Sequence, residues 1–160
     1  MPTARGKLKT IYKGDIMPMV TNEKQVLLNM LQTDLSYELA SAIQYFQHAA
    51  VIGGLYFAFA ADLLTHGDEE IGHAKKLNDL IAFHGGIPLV EVANRFMASN
   101  PTSMLKQDYE GELDAIARYK AHLDTALAMG ETGIVSVLLD ILADEEGHAN
   151  DLRSILMEGV

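Results

Sequence analysis

The chain has 160 residues, 49% of them hydrophobic and 21% charged, with no Cys and no Trp. That length favours one domain with a core of its own, and the composition is too apolar for a disordered chain. The lack of Cys excludes disulfides, zinc ribbons, thiolate-held iron–sulfur clusters and a Cys nucleophile, and it fits a reducing, cytoplasmic setting. A formal net charge of −10 disfavours nucleic acid as a partner and attracts cations.

Residues 1–20 carry Gly6, Gly14 and Pro18, show no steady hydrophobic period, and read as an irregular N-terminal arm. The arm is basic (Arg5, Lys7, Lys9, Lys13) but lacks the apolar stretch of a secretory signal. A helical domain is expected over residues 21–160, with Thr21 or Asn22 as the first N-cap. Val26, Met30, Leu31, Leu35, Leu39, Ile43 and Phe46 recur at helical spacing. Gly53-Gly54 marks the first turn, and a second helix is expected from about Leu55 to His84. The longest apolar run, Ala49 to Ala61, has 13 residues and is too short to span a bilayer, so no membrane association is expected. Gly85-Gly86-Ile87-Pro88 ends the second helix, because Gly supplies a left-handed cap and Pro cannot continue the helix. Pro101 opens a third helix whose spaced positions are Leu105, Tyr109, Glu112, Ile116, Tyr119, Leu123 and Ala126. It stops at Gly130, and a fourth helix follows from about Glu131 to Met157.

The fold class is therefore all-α. Short turns at Gly53-Gly54 and Gly130 join antiparallel neighbours. The 16 residues from 85 to 100 reach roughly 50 Å when extended, and a 30-residue helix is about 45 Å long. The expected architecture is a four-helix bundle: two antiparallel helical hairpins joined by a long crossover.

Two Glu-x-x-His motifs carry the chemistry, Glu70-Ile71-Gly72-His73 and Glu145-Glu146-Gly147-His148. Three residues apart on a helix, each Glu and His share a face. Chance alone yields about 0.4 such matches from 11 Glu and six His. Both motifs put Gly before His and Ala after it. Glu38 precedes Tyr45 by seven residues, as Glu112 precedes Tyr119. Glu38 to Glu70 is 32 residues and Glu112 to Glu145 is 33, which reads as an internal repeat of one helical hairpin. Each hairpin brings its two Glu to one level, because their midpoints fall at Gly54 and beside Gly130. The candidate metal ligands are thus Glu38, Glu70, His73, Glu112, Glu145 and His148. Two divalent cations balance four carboxylates with both His neutral, and oxygen with imidazole donors suits iron or manganese. Glu69, Asp144 and Glu146 are expected to be solvated or to support the ligands. His48, His66, His84 and His122 are read as lacking repeat partners, with His48 the nearest to the site. Tyr119 is read as a core tyrosine.

Residues 23–157 resemble the bacterioferritin branch of the ferritin-like di-iron proteins. The resemblance is densest in Ile141-Leu142-Ala143-Asp144-Glu145-Glu146-Gly147-His148 and from Glu38-Leu39 to Gln44-Tyr45-Phe46. It implies that Glu38 and Glu112 are terminal ligands, that Glu70 and Glu145 bridge two iron ions, and that His73 and His148 each bind one. It implies that Tyr45 lies beside the site and donates a hydrogen bond or an electron in catalysis. The implied activity is ferroxidase chemistry, Fe(II) oxidised by O₂ or H₂O₂ for storage or detoxification, in a homo-oligomer. Bacterioferritins bind haem through a Met directly after the bridging Glu of the second helix; here that position is Ile71, so haem is not expected. The short fifth helix of ferritins has no counterpart before Val160. Two other readings stand beside this one: a di-iron or dimanganese peroxide-reducing enzyme without storage, and a metal-free helical interaction protein.

Overall fold

The computed structural model describes residues 22–95 and 97–158; the arm at 1–20 and the capping position Thr21 lie outside them. Four helices follow in order: α1 (Asn22–Val51), α2 (Ala60–Phe83), α3 (Pro101–Ala128) and α4 (Thr132–Glu158). The described residues contain no strand. Side-chain pairs show how the helices lie. Arg118 reaches Asp34 while Gln44 reaches Asp108, so numbers rise along α1 as they fall along α3 and the two helices are antiparallel. Lys76 with Asp140 and His66 with Asp151 set α2 against α4 in the same sense.

The turns use the residues the sequence singled out. Gly85 and Gly130 adopt φ of +76° and +74° at the ends of α2 and α3, a region that disfavours a side chain. Asn100 caps α3 by accepting a hydrogen bond from the Ser103 amide (3.0 Å), and Pro101 fills the first turn, where its missing N–H costs nothing.

The second helix departs from expectation at its start. Residues Gly54–Phe59 form a 3-10 helix, and α-helical geometry begins only at Ala60. A 3-10 segment winds more tightly and is common where a chain turns into an α-helix. It buries Tyr56 among Tyr45, Ile52 and Leu63 while Leu55 and Phe57 remain exposed.

The crossover runs along α1 rather than looping free. The Gln32 side chain donates to the Ile87 carbonyl (2.7 Å) and accepts from the Leu89 amide (2.9 Å). Farther along, Ala93 N–H donates to the Ser36 carbonyl (3.0 Å), Arg95 donates to Ser41 Oγ (2.6 Å), and Gln47 donates to Met97 Sδ. These contacts climb α1 from Gln32 to Gln47 and deliver the chain to the far end, where α3 begins.

Two apolar clusters fill the bundle. One includes Leu31, Leu35, Leu77, Ile81, Leu123, Ile134 and Leu138; the other includes Tyr45, Ile52, Leu63, Leu105, Leu152 and Ile155. On every helix the candidate Glu falls between them, so the polar layer is enclosed by hydrophobic plugs above and below. Replacing Gln32 by Ala removes both amide bonds to the crossover. The expected cost is about 1–2 kcal/mol, read as a lower midpoint in urea; an unchanged midpoint would show that the crossover is held by other contacts.

Candidate metal centre

All six candidate ligands are buried: Glu38, Glu70 and Glu145 are 1% exposed, His73 2%, Glu112 3% and His148 4%. They converge on one layer as two overlapping groups, Glu38–Glu70–His73–Glu145 and Glu70–Glu112–Glu145–His148. Glu70 and Glu145 belong to both. Glu70 turns Oε2 toward His73 Nδ1 (3.4 Å) and Oε1 toward His148 Nδ1 (3.1 Å). Glu145 turns Oε1 toward His73 Nδ1 (3.1 Å) and Oε2 toward His148 Nδ1 (3.9 Å). Each of these carboxylates thus offers one oxygen to each half of the layer, whereas Glu38 faces only His73 (3.2 Å) and Glu112 only His148 (3.8 Å).

The supporting bonds cross between the repeats. Tyr45 donates to Glu112, and Tyr119 donates to Glu38 (2.7 Å), each tyrosine serving the other hairpin's glutamate. His73 Nε2 pairs with Asp144 (3.1 Å), and His148 Nε2 pairs with Glu69 (2.8 Å). The residue before each bridging-position Glu therefore holds the opposite imidazole and leaves its Nδ1 pointing inward.

Several of these partners escaped the sequence reading. Tyr119 is a hydrogen-bond donor to the site rather than a plain core residue. His48 and His122 do have repeat partners: each other. Each stands ten residues after its Glu, and each pairs with the Asp four residues before the other hairpin's Glu: His48 with Asp108 (2.8 Å) and His122 with Asp34 (2.8 Å). The same arithmetic that matched Tyr45 with Tyr119 finds both pairs. The repeat breaks at one position, where Gln44 binds Asp108 and its counterpart Arg118 binds Asp34 (2.9 Å) and Glu38 (3.4 Å). His66, read as lacking a repeat partner, is buried and stacks on His148 with ring centres 4.2 Å apart. Glu146 is solvated and pairs with Lys120 (2.9 Å), as expected.

Without metal, protons hold this cluster together. Burial and the charge of Glu38 push Glu70 up to about 8. Burial, with Glu38 and Glu70, pushes Glu145 up to about 7, and burial with Glu145 raises Glu112 well above the carboxylate range. Glu38 goes the other way: burial opposes its charge, but hydrogen bonds from His73 and Glu70 and the charges of His73 and Arg118 hold it at about 2. Burial also opposes the charge on His148, yet the facing carboxylates of Glu70 and Glu112 lift it to about 9; His73 is raised as well, through Glu145, Glu38 and Glu70. Burial keeps the Tyr45 and Tyr119 phenols protonated.

The donor set fits a pair of divalent cations. Glu70 Oε1, Glu145 Oε1 and His148 Nδ1 are buried without a hydrogen-bond partner, although each faces other candidate ligands. Buried polar atoms are rarely left so, and inward-facing oxygens and nitrogens with nothing to bond are what a metal cage requires.

Comparison with known proteins agrees with this geometry. A family model described as a ferritin-like domain matches residues 28–159. The chain belongs to the ferritin-like family. It is 30% identical over 132 residues to a bacterioferritin of Brucella melitensis, covering 81% of this chain and 82% of that one. It is 29% identical to a bacterioferritin of Streptomyces coelicolor, over 81% of this chain and 79% of that one. A solved structure of a ferritin-like, diiron-carboxylate protein from Bacillus anthracis superimposes with a TM-score of 0.82 at 28% identity, covering 85% of this chain and 99% of that one. The all-α, two-hairpin architecture expected from the sequence is that of the ferritin-like family.

The proton balance sets a pH dependence. Glu70 and Glu145 have folded-state values raised from 4.5 to about 8 and about 7, and His148 is raised from 6.5 to about 9. Groups raised on folding stabilise below their unfolded values, and that contribution is lost as pH climbs through the folded ones. The metal-free protein is expected to lose melting temperature between about pH 5 and pH 9. The depressed value of Glu38 acts only below its unfolded value of 4.5. Thermal melts of chelator-treated protein across that range check this; a rising melting temperature would contradict the proton-held cluster.

Proposed function

We propose that this ferritin-like protein is a ferroxidase that binds Fe(II) in pairs at Glu38, Glu70, His73, Glu112, Glu145 and His148 and oxidises it to Fe(III). The observation that supports this most directly is the split of Glu70 and Glu145, each offering one oxygen to either half of the layer. In this reading Glu70 and Glu145 bridge the two ions, Glu38 and Glu112 are terminal ligands, and His73 and His148 each hold one ion. Two Fe(II) supply two electrons, enough to reduce O₂ to H₂O₂, or H₂O₂ to two waters, with two protons taken up in either case.

The chain's own residues do the rest. Glu69 and Asp144 accept hydrogen bonds from the Nε2–H groups of the two imidazoles and aim each Nδ1 at the substrate ion. The protons on Glu70, Glu112 and Glu145 leave as Fe(II) binds. Tyr45 holds Glu112 in place and stands at the site as a hydrogen-bond or electron donor. The apolar plugs on both sides keep bulk water from the layer. Manganese fits the same donors.

The reading extends to a homo-oligomer in a cytoplasmic setting. Ile87, Val90 and Met97 on the crossover are 79%, 91% and 72% exposed, apolar side chains that a second copy of the chain would cover. No helix among the described residues is long and apolar enough to cross a membrane.

Glu145→Ala is expected to abolish paired metal binding in anaerobic calorimetry, since it removes an oxygen from both ions; wild-type stoichiometry in this variant would sink the assignment. Tyr45→Phe is expected to keep the stoichiometry and slow Fe(II) oxidation by about ten- to a hundredfold, and an unchanged rate would remove Tyr45 from the mechanism. With Ile71 where a haem-ligating Met would stand, added haemin is expected to give no stoichiometric Soret band; a stable band at a fixed haem-to-chain ratio would overturn that expectation.

A further inference from the structure

The two halves of the buried layer are built from matching parts. Glu38 with His73 stands on one side of the shared pair Glu70 and Glu145, and Glu112 with His148 on the other. Behind Glu38 are Tyr119, Asp34 and His122; behind Glu112 are Tyr45, Asp108 and His48, with the same hydrogen bonds. One matched position behind these two glutamates differs in charge. Six residues after Glu38 is Gln44, and six after Glu112 is Arg118. Each hairpin supports the other's glutamate. The guanidinium therefore lands beside Glu38, while the neutral amide of Gln44 donates to Asp108 (2.7 Å) on the other side.

Arg118 is held firmly. Its Nε donates to Asp34 Oδ1 (2.9 Å), and its Nη2 lies 3.4 Å from Glu38 Oε1. The guanidinium lies over the rings of Tyr37 (4.4 Å) and Tyr119 (5.4 Å). Its side chain is only 14% exposed, so solvent screens its charge weakly. Tyr119 donates to the same Glu38 oxygen (2.7 Å), which leaves Oε2 as the oxygen facing His73 (3.2 Å).

A divalent cation entering the Glu38–His73 half therefore meets a carboxylate already shared with a guanidinium, and a fixed positive charge that opposes its own. The Glu112–His148 half has no matching guanidinium. Lys76 also lies on the His73 side, near Asp144, but its ammonium is 38% exposed and paired with Asp140 at 2.6 Å, so solvent and that partner mute it.

We propose that Arg118, acting through Glu38, sets the order in which the layer fills: the Glu112–His148 half takes the first divalent cation, and the Glu38–His73 half takes the second more weakly. The pair, and with it the two-electron step, then forms only at the Fe(II) concentration that fills the weaker half. An interaction with a charged group of this kind is worth a factor of about ten to a hundred in affinity.

The proposal rests on the paired-metal reading of the buried cluster, and the experiment separates the two. Metal-free full-length protein is crystallised with one Co(II) per chain, and again with Co(II) in excess. Anomalous scattering at the cobalt edge reads the occupancy of each half. At one Co(II) per chain, the Glu112–His148 half of the wild type is expected to be filled about tenfold or more over the other. Arg118→Gln is expected to bring the two halves within about twofold of each other. That variant carries the residue the other hairpin uses at the matched position, and Asp34 keeps His122 as a partner (2.8 Å). Gln44→Arg, which places a second guanidinium beside Asp108, is expected to level the halves from the other side. Equal halves or the reverse order in wild type, or a preference unchanged in either variant, would overturn the role of Arg118. Two filled positions in excess Co(II) would leave the pair standing in that case. No cobalt in the layer in excess Co(II) would overturn both.

Discussion

Four carboxylates buried in one layer are the constraint on which this structure depends. Uncompensated, such a cluster is prohibitively costly. Here the compensation comes from within the layer: protons shared among Glu70, Glu112 and Glu145, two imidazoles from His73 and His148, and hydroxyl donors from Tyr45 and Tyr119. The same groups that make the metal-free layer tolerable are those a pair of cations would displace or use. Hydrophobic clusters enclose the layer on either side, and the atoms it leaves unpaired, Glu70 Oε1, Glu145 Oε1 and His148 Nδ1, all face other candidate ligands.

The doubled hairpin explains how one layer acquires so many coordinated partners. Each tyrosine, and each residue before a bridging-position Glu, serves the opposite repeat, so neither hairpin holds its own ligands alone. The places where the repeat fails are equally informative. Arg118 against Gln44 puts a guanidinium beside Glu38 with no counterpart beside Glu112, which makes the two halves electrostatically unequal. His66 stands where the second hairpin has Ile141, and Asp151 where the first has Lys76, so the two flanks of the layer differ in chemistry.

Most of the architecture was legible in the sequence because helix length, glycine turns and Pro101 are local signals. The six candidate ligands were legible because Glu-x-x-His and the 32- and 33-residue spacings place them on one level. The 3-10 start after Gly54 was not, since hydrophobic periodicity runs through it and the tight winding depends on burying Tyr56 against Tyr45 and Leu63. Tyr119 and the pairs of Asp34 with His122 and Asp108 with His48 were within reach of the repeat arithmetic but looked like core or surface residues one at a time. His66 breaks the repeat, so no internal comparison could mark it, and its place beside His148 arises only when α2 packs on α4. The arm at residues 1–20 lies outside the described residues.

The central claim is that the buried layer holds metal in pairs, and anaerobic Fe(II) titration of the metal-free protein tests it most directly. Tight binding is expected to continue to two Fe(II) per chain at the buried layer, and air exposure is expected to oxidise both together. Saturation at one ion, or no tight binding at all, would contradict the account and leave a ferritin-like bundle whose acidic layer is held by protons alone.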